Sequence, residues 1–165
     1  MLRLFILTNR LRHMKLTLLL YLPFFLANLW VTVYVCWSDG QRRLIPNQIS
    51  KWVLLINTIA AIAYGFIWSS LPIALLCFAV LLLLWFANVF GAGDVKLLSA
   101  FTVGIQPDLL MPALVTIGIF GGIQLATMYL WAKVNQFKAF EKGIPYGIPI
   151  SLSCLIFTAL SALSH

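Results

Sequence analysis

Two aspartates, Asp39 and Asp94, are the side chains best suited to chemistry in a chain that contains only four acidic residues. An aspartate in the centre of a membrane span costs about 3 kcal/mol, so acids close to hydrocarbon tend to mark functional sites. Two carboxyls held near each other share a proton, so that one can take a proton from water while the other polarises a peptide carbonyl. Such a pair predicts hydrolysis of a peptide bond without a metal ion or a covalent intermediate.

Each aspartate also has a structural explanation when it is taken alone. Asp39 precedes Gly40, a pair that is common in turns. Asp94 precedes the apolar segment VKLLSAFTVGI, where an aspartate can cap a helix. The other two acids, Asp108 and Glu141, are interpreted as solvated loop residues. The catalytic interpretation therefore depends on Asp39 and Asp94 meeting in the fold, which their spacing alone does not establish.

The composition indicates what must position these residues. Hydrophobic residues make up 62% of the chain and charged residues 9%, which is too little polar surface for a soluble globule. A helix needs roughly 20 apolar residues to cross about 30 Å of hydrocarbon. We therefore predict an all-α, polytopic membrane helix bundle with about six transmembrane helices. The apolar stretches place these spans near residues 16–37, 52–68, 72–90, 95–105, 109–132 and 144–163, the fourth being short for a full crossing.

The positive charges of the loops predict an orientation for this bundle. With six crossings, one side receives seven basic residues and should be cytoplasmic. Two spans separate Asp39 from Asp94, and an even number of crossings returns the chain to the same face. Both carboxyls are therefore expected at the cytoplasmic surface. The seven basic residues are Arg42, Arg43, Lys51, Lys96, Lys133, Lys138 and Lys142.

The amino-terminal tail, residues 1–15, is treated separately from the membrane domain at residues 16–165. Its four basic residues would normally hold the amino terminus in the cytoplasm, against the orientation that the loops predict. Translation from Met14 would leave a single lysine before the first span. We therefore hypothesise that Met14 is the native start.

Three segments of the chain resemble the motifs of a known family. They are DGQRRLIPN at residues 39–47, GAGDVK at residues 91–96 and PYG at residues 145–147. In this order and separated by these spans, they resemble the type IV prepilin peptidases, and in particular the short members of the CpaA or TadV kind. The resemblance implies a membrane aspartic protease, and it covers most of the chain from about residue 16 onward.

The resemblance assigns roles to Asp39 of the first motif and to the residues of the second motif. Asp39 and Asp94 would be the catalytic pair, and Gly91 and Gly93 would shape the backbone at the second aspartate. A backbone without side chains would also let an extended substrate approach closely. Lys96 would either influence the charge balance of the site or act as an interfacial anchor that contacts lipid phosphate.

The remaining motif residues have supporting roles. Arg42 and Arg43 are interpreted as an interfacial basic patch that faces substrate or anionic lipid. Pro46 would be a stiff entry to the next helix and Asn47 its cap. The turn at the entry to the last span is expected to be fixed and to pack near the site without taking part in the reaction; its residues are Pro145, Tyr146 and Gly147.

The implied substrate is a Flp-type prepilin, with a short basic leader that ends in glycine and is followed by an apolar helix. Cleavage would occur at the cytoplasmic face of the bacterial inner membrane, with anionic lipid as a further partner. No cofactor, metal or nucleic acid is expected, and the sequence does not indicate an oligomeric state. Larger family members carry paired Cys-x-x-Cys motifs and many methylate the new amino terminus. Methylation is doubtful here, because Cys36, Cys77 and Cys154 lie far apart.

Other membrane proteases fit the residues less well. A zinc protease needs an HExxH motif, and an intramembrane serine protease needs a histidine inside the bundle, whereas the two histidines are His13 and His165 at the ends of the chain. A different class of function stays open as an alternative. In it, the chain is a non-enzymatic membrane scaffold or transporter component of a secretion or pilus system, and Asp94 carries protons or caps a helix.

Overall fold

The computed structural model describes residues 2–134 and 144–164, with side chains from Leu20 onward. The described residues form six α-helices and no strand, which confirms the all-α prediction. The backbone of the basic tail is part of the first helix, and the side chains before Leu20 are not described. Lys138, Glu141 and Lys142 lie outside the described residues, as does His165. The helices are α1 (Leu2–Arg42), α2 (Asn47–Ala63), α3 (Ile67–Phe86), α4 (Ala92–Thr102), α5 (Pro107–Val134) and α6 (Gly147–Leu163).

Three of these helices are long and apolar enough to cross a membrane, namely the Leu20–Arg42 part of α1, α3 and α5. The helices α2 and α6 are shorter, with 17 residues each, and α4 has 11. At 1.5 Å per residue, α4 is only about 16 Å long, about half the thickness of the hydrocarbon. Large apolar side chains cover the outside of the bundle, as in Trp68, which is 84% exposed. This exterior suits lipid and would not suit water.

The short helix α4 lies at the centre of the bundle. It packs against α2, α3 and α6, while α1 and α5 both pack against α6. Its side chains are buried around most of its circumference, including Val95, Leu97, Leu98 and Phe101. A helix that is apolar on nearly all sides is expected in the interior of a bundle. The first turn of α4, which carries Asp94, is thus held in place by neighbours on several sides.

Two boundaries differ from those that the sequence predicts. The second and third spans separate at Gly65, whose φ of 80° is favourable for glycine, and not near residues 69–71 as predicted. The first helix continues through Asp39 and Gly40 and ends at Arg42, so the prediction of a turn at Asp39-Gly40 is wrong. The helix tolerates this acid because Asp39 finds hydrogen-bond donors outside α1.

Polar side chains inside the bundle connect helices that are distant in sequence. The Asn57 amide donates to Asn28 Oδ1 at 3.1 Å, which joins α2 to α1. It also donates to the Val53 carbonyl within α2 at 2.9 Å. At the opposite end from the aspartates, the Gln106 backbone N–H donates to Ser161 Oγ at 2.9 Å. In lipid no water is available for these groups, so such bonds fix how the helices sit against one another.

Candidate active site

The Asp39 carboxyl lies at the amino-terminal end of α6. Asp39 is in the last turn of α1 and only 5% exposed. Its Oδ2 accepts a hydrogen bond from the Gly147 backbone N–H at 2.8 Å, and the carboxyl accepts a second from the Ile148 backbone N–H. The first N–H groups of a helix have no partner within the helix and carry its positive end. The Asp39 carboxyl is therefore held by residues more than one hundred positions later in the chain.

Gly147 has no room for a side chain. A Cβ atom at this position would lie 2.8 Å from Asp39 Oδ2 and 2.9 Å from Ile45 Cδ1. Both distances are shorter than real Cβ contacts, so a larger residue would displace the carboxyl or the isoleucine. The close approach of the α6 backbone to Asp39 thus requires glycine at residue 147.

The Asp94 carboxyl is positioned by its own helix. Asp94 is the third residue of α4, and its side chain reaches back to accept a hydrogen bond from the backbone N–H of Gly91, the residue that caps the helix. This is one half of a capping box. The expectation that Asp94 itself caps the helix is therefore corrected, because Gly91 occupies that position. A Cβ at Gly91 would lie 2.9 Å from Asp94 Oδ2.

The two carboxyls lie at the same end of the bundle and influence each other. Burial, and after it the negative charge of Asp39, raises the pKa of Asp94 from 3.8 to about 6, while the Gly91 N–H acts in the opposite direction. A neighbouring negative charge has this effect only at short range. Asp94 therefore keeps its proton at mildly acidic pH while it faces a second carboxyl.

Ile45 lies between the glycines next to the two carboxyls, and the sequence analysis missed it. Its Cδ1 is 2.9 Å from the Cβ position of Gly147, and its Cβ is 3.3 Å from that of Gly93. The absence of a side chain at Gly93 thus leaves space for Ile45. The sequence analysis assigned Gly93 a role in substrate approach and did not predict this packing role. The only signal for Ile45 was its place within the first of the three family-like segments.

The structure divides the predicted basic patch. The Arg42 side chain is exposed, and its guanidinium lies 5.1 Å from the centre of the Trp37 ring. Arg43 is half-buried, its backbone N–H donates to the Asp39 carbonyl at 3.2 Å, and its charge interacts favourably with the Asp39 carboxylate. Of the two arginines, Arg43 is therefore the one whose charge acts on the Asp39 carboxyl.

The entry to α2 is also different from the prediction. Pro46 is the capping residue, with φ of −61°, and α2 begins at Asn47. The prediction of Asn47 as the cap is therefore wrong, because the rigid proline before it already occupies the cap position. The Asn47 side chain instead accepts a hydrogen bond at 3.0 Å from the Lys96 ammonium. This contact ties α4 to α2 and gives Lys96 a neutral partner.

The PYG segment at residues 145–147 is fixed on several sides. The Gln124 amide of α5 donates to the Pro145 carbonyl at 2.9 Å. The centres of the Tyr146 and Phe90 rings are 6.0 Å apart. Tyr146 Cε1 lies 3.5 Å from the position that a Cβ atom would take at Gly121. The geometry agrees with a fixed turn next to the site, and Gly147 adds a direct contact with Asp39 that the sequence did not reveal.

Among residues 20–134 and 144–164, whose side chains are described, no three His, Cys, Asp or Glu side chains come together as a metal site would require. Cys36, one helical turn before Asp39, lies with its sulfur 3.7 Å from Ser151 Oγ.

Sequence comparison relates this chain to a known protein family. The model of the type IV leader peptidase family matches residues 11–126, which include both Asp39 and Asp94. The chain belongs to the type IV leader peptidase family. This confirms the resemblance that the three sequence segments indicated.

A relative from Legionella pneumophila, described as a prepilin leader peptidase/N-methyltransferase, is 30% identical over 146 residues. The match covers 82% of this chain and 49% of the relative, so the chain spans about half the length of that protein. No solved structure matches the chain significantly. The matched family region ends within α5, so the contact between Asp39 and Gly147 is information that only the structure adds.

Proposed function

We propose that the chain is a membrane aspartic endopeptidase that removes the leader peptide from type IV prepilin-like precursors. The observation that carries the proposal is the electrostatic interaction between Asp39 and Asp94 at one end of the bundle: burial and the Asp39 charge raise the pKa of Asp94 to about 6. Membership of the leader peptidase family supports this reaction. The relative's description as a prepilin leader peptidase supports the substrate class.

The surroundings of the two carboxyls favour different roles for them. Burial disfavours the ionised form of both carboxyls, but at Asp39 three interactions oppose it, namely two backbone N–H groups and the charge of Arg43. Asp94 accepts one backbone N–H and retains its proton up to about pH 6. We therefore propose Asp39 as the general base and Asp94 as the general acid.

The reaction then proceeds in two steps that consume one water molecule. The water oxygen bonds to the scissile carbonyl carbon as its proton passes to Asp39, while Asp94 gives its proton to the carbonyl oxygen. The resulting diol collapses when Asp39 passes its proton to the peptide nitrogen and Asp94 takes a proton back from a hydroxyl. The carbon–nitrogen bond breaks, and both carboxyls return to their initial states.

The finer assignments belong to the same proposal. The substrate would be a Flp-type precursor cleaved at the cytoplasmic face of the bacterial inner membrane. Exposed basic side chains near the aspartate end of the bundle support that orientation and would contact anionic lipid. Those with described side chains are Arg42, Lys51, Lys96 and Lys133.

The proposal is tested by following the size of a pilin precursor that is co-expressed with the chain. Processing should occur with the wild type and should be lost with both Asp39→Asn and Asp94→Asn at unchanged membrane levels. Asp108→Asn is the matched control, because Asp108 is an exposed acid in the first turn of α5. Survival of processing in either site variant would favour the scaffold or transporter alternative.

A further inference from the structure

Arg43 occupies a backbone conformation that is unfavourable for arginine. It directly follows the last residue of α1 and has a φ of 55°. This left-handed position after a helix is usually taken by glycine or asparagine, because a side chain costs energy there. The other non-glycine residue with positive φ in the described chain is Asn88, one of the residue types that tolerate it. The arginine is thus kept at a position where glycine would be more stable.

The side chain of Arg43 carries a donor that the described structure leaves unused. Its Nη1 atom is buried and has no hydrogen-bond partner. A buried donor without a partner is costly, and more so when it belongs to a charged group. In the described residues, the other buried side-chain atom of this kind is the neutral hydroxyl oxygen of Ser50. Arg43 as a whole residue is half-buried, so a rotation of its side chain would bring Nη1 to an acceptor supplied from outside the chain and would remove this cost.

We infer that Arg43 binds a main-chain carbonyl oxygen of the peptide substrate beside Asp39. A peptide carbonyl is a neutral acceptor, so it can enter next to a carboxylate without repulsion. It also offers two lone pairs to donors of this kind. A lipid phosphate fits less well, because its negative charge would come close to the Asp39 carboxylate. This inference rests on the proposed peptidase function and adds a substrate-binding residue to it.

The backbone of Arg43 provides a variant that separates binding from folding. Arg43→Gly relieves the positive φ, which offsets the lost attraction between the guanidinium and Asp39, so the variant should fold and be about as stable to heat as the wild type. Its KM for a precursor peptide in detergent micelles should nevertheless rise about 10- to 100-fold with little change in kcat, the range for one lost charged hydrogen bond, whereas a loss that acts only through Asp39 would lower kcat. Millimolar guanidinium should restore part of the activity of Arg43→Gly.

Asn88→Gly is the matched control, since Asn88 is the other described non-glycine residue with positive φ and its side chain is exposed. It should keep kcat/KM within about twofold of the wild type, and guanidinium should not change its activity. Equal activities of Arg43→Gly and Asn88→Gly would overturn the inference. A loss in Arg43→Gly that guanidinium does not restore would overturn it as well.

The lipid alternative is tested in vesicles with and without anionic lipid. Substrate binding by Arg43 predicts that the deficit of Arg43→Gly is the same in both. A deficit that appears only with anionic lipid would identify a lipid phosphate as the ligand and overturn the inference. Processing by Asp39→Asn would instead refute the peptidase function itself, so the two failures are distinguishable.

Discussion

The two carboxyls of the site are held in different ways. Asp94 is fixed locally, by the cap of its own helix, through the Gly91 N–H. Asp39 is fixed by the first residue of α6, which is 108 positions later, through a 2.8 Å hydrogen bond from Gly147. The local arrangement is visible as a short motif, whereas the long-range one depends on how the whole bundle packs. The two halves of the site should therefore respond differently to mutation.

The largest effect is expected at the long-range contact. Gly147→Ala places a methyl group 2.8 Å from Asp39 Oδ2 and 2.9 Å from Ile45 Cδ1, so it must move the carboxyl. We expect precursor processing to fall about 100-fold, since small misplacements of a reacting group have costs of this size. The control is Gly122→Ala, whose Cβ meets nothing within 4 Å. Normal activity of Gly147→Ala would contradict the proposed role of this contact.

The sequence predicted the local half of the site better than the long-range half. The GAGD segment identified Gly91 and Asp94, and counting of spans placed Asp39 at the same end. The contact of Asp39 with Gly147 could not be predicted, because hydrophobic periodicity defines helices without their partners. The interaction of Arg43 with the Asp39 carboxyl depends on a φ angle that a sequence pattern does not reveal. Asn47 was misassigned as a cap because Pro46 also competes for that position.

The pH dependence should reveal the proton that Asp94 holds. The pKa of Asp94 is raised to about 6, so its acid form is present below that pH and is lost as the pH rises through it. Because the proposed reaction needs one acid and one carboxylate, kcat/KM should fall by up to about tenfold per pH unit above pH 7. The measurement is peptide cleavage in micelles between pH 5 and 9. Constant kcat/KM from pH 6 to 9 would contradict the proposed acid.

A smaller loss is expected on the local side. Gly91→Ala brings a Cβ to 2.9 Å from Asp94 Oδ2, but this carboxyl ends a rotatable side chain and can partly adjust. We expect about a tenfold decrease in precursor processing, with little change in thermal stability. A decrease larger than that of Gly147→Ala would reverse the comparison between the two carboxyls.

The smallest effect is expected at the exposed contact between Lys96 and Asn47. Their 3.0 Å hydrogen bond joins α4 to α2 at the surface, where such bonds contribute about 0.5–1 kcal/mol. Lys96→Met and Asn47→Ala should each lower processing less than about threefold, and the double variant should resemble the single ones. A loss in Lys96→Met of the size seen for Asp94→Asn would show that Lys96 acts directly on the carboxyls.

The most direct test is to titrate Asp94 itself. The chain has only three aspartates, Asp39, Asp94 and Asp108, so carboxyl carbon resonances of labelled protein can be assigned with the three Asp→Asn variants. We predict a pKa of about 6 for Asp94 in the wild type, and a lower pKa in Asp39→Asn, where the charge contribution is absent and burial remains. An Asp94 pKa that is the same with and without the Asp39 carboxyl would contradict the pairing on which the proposed function depends.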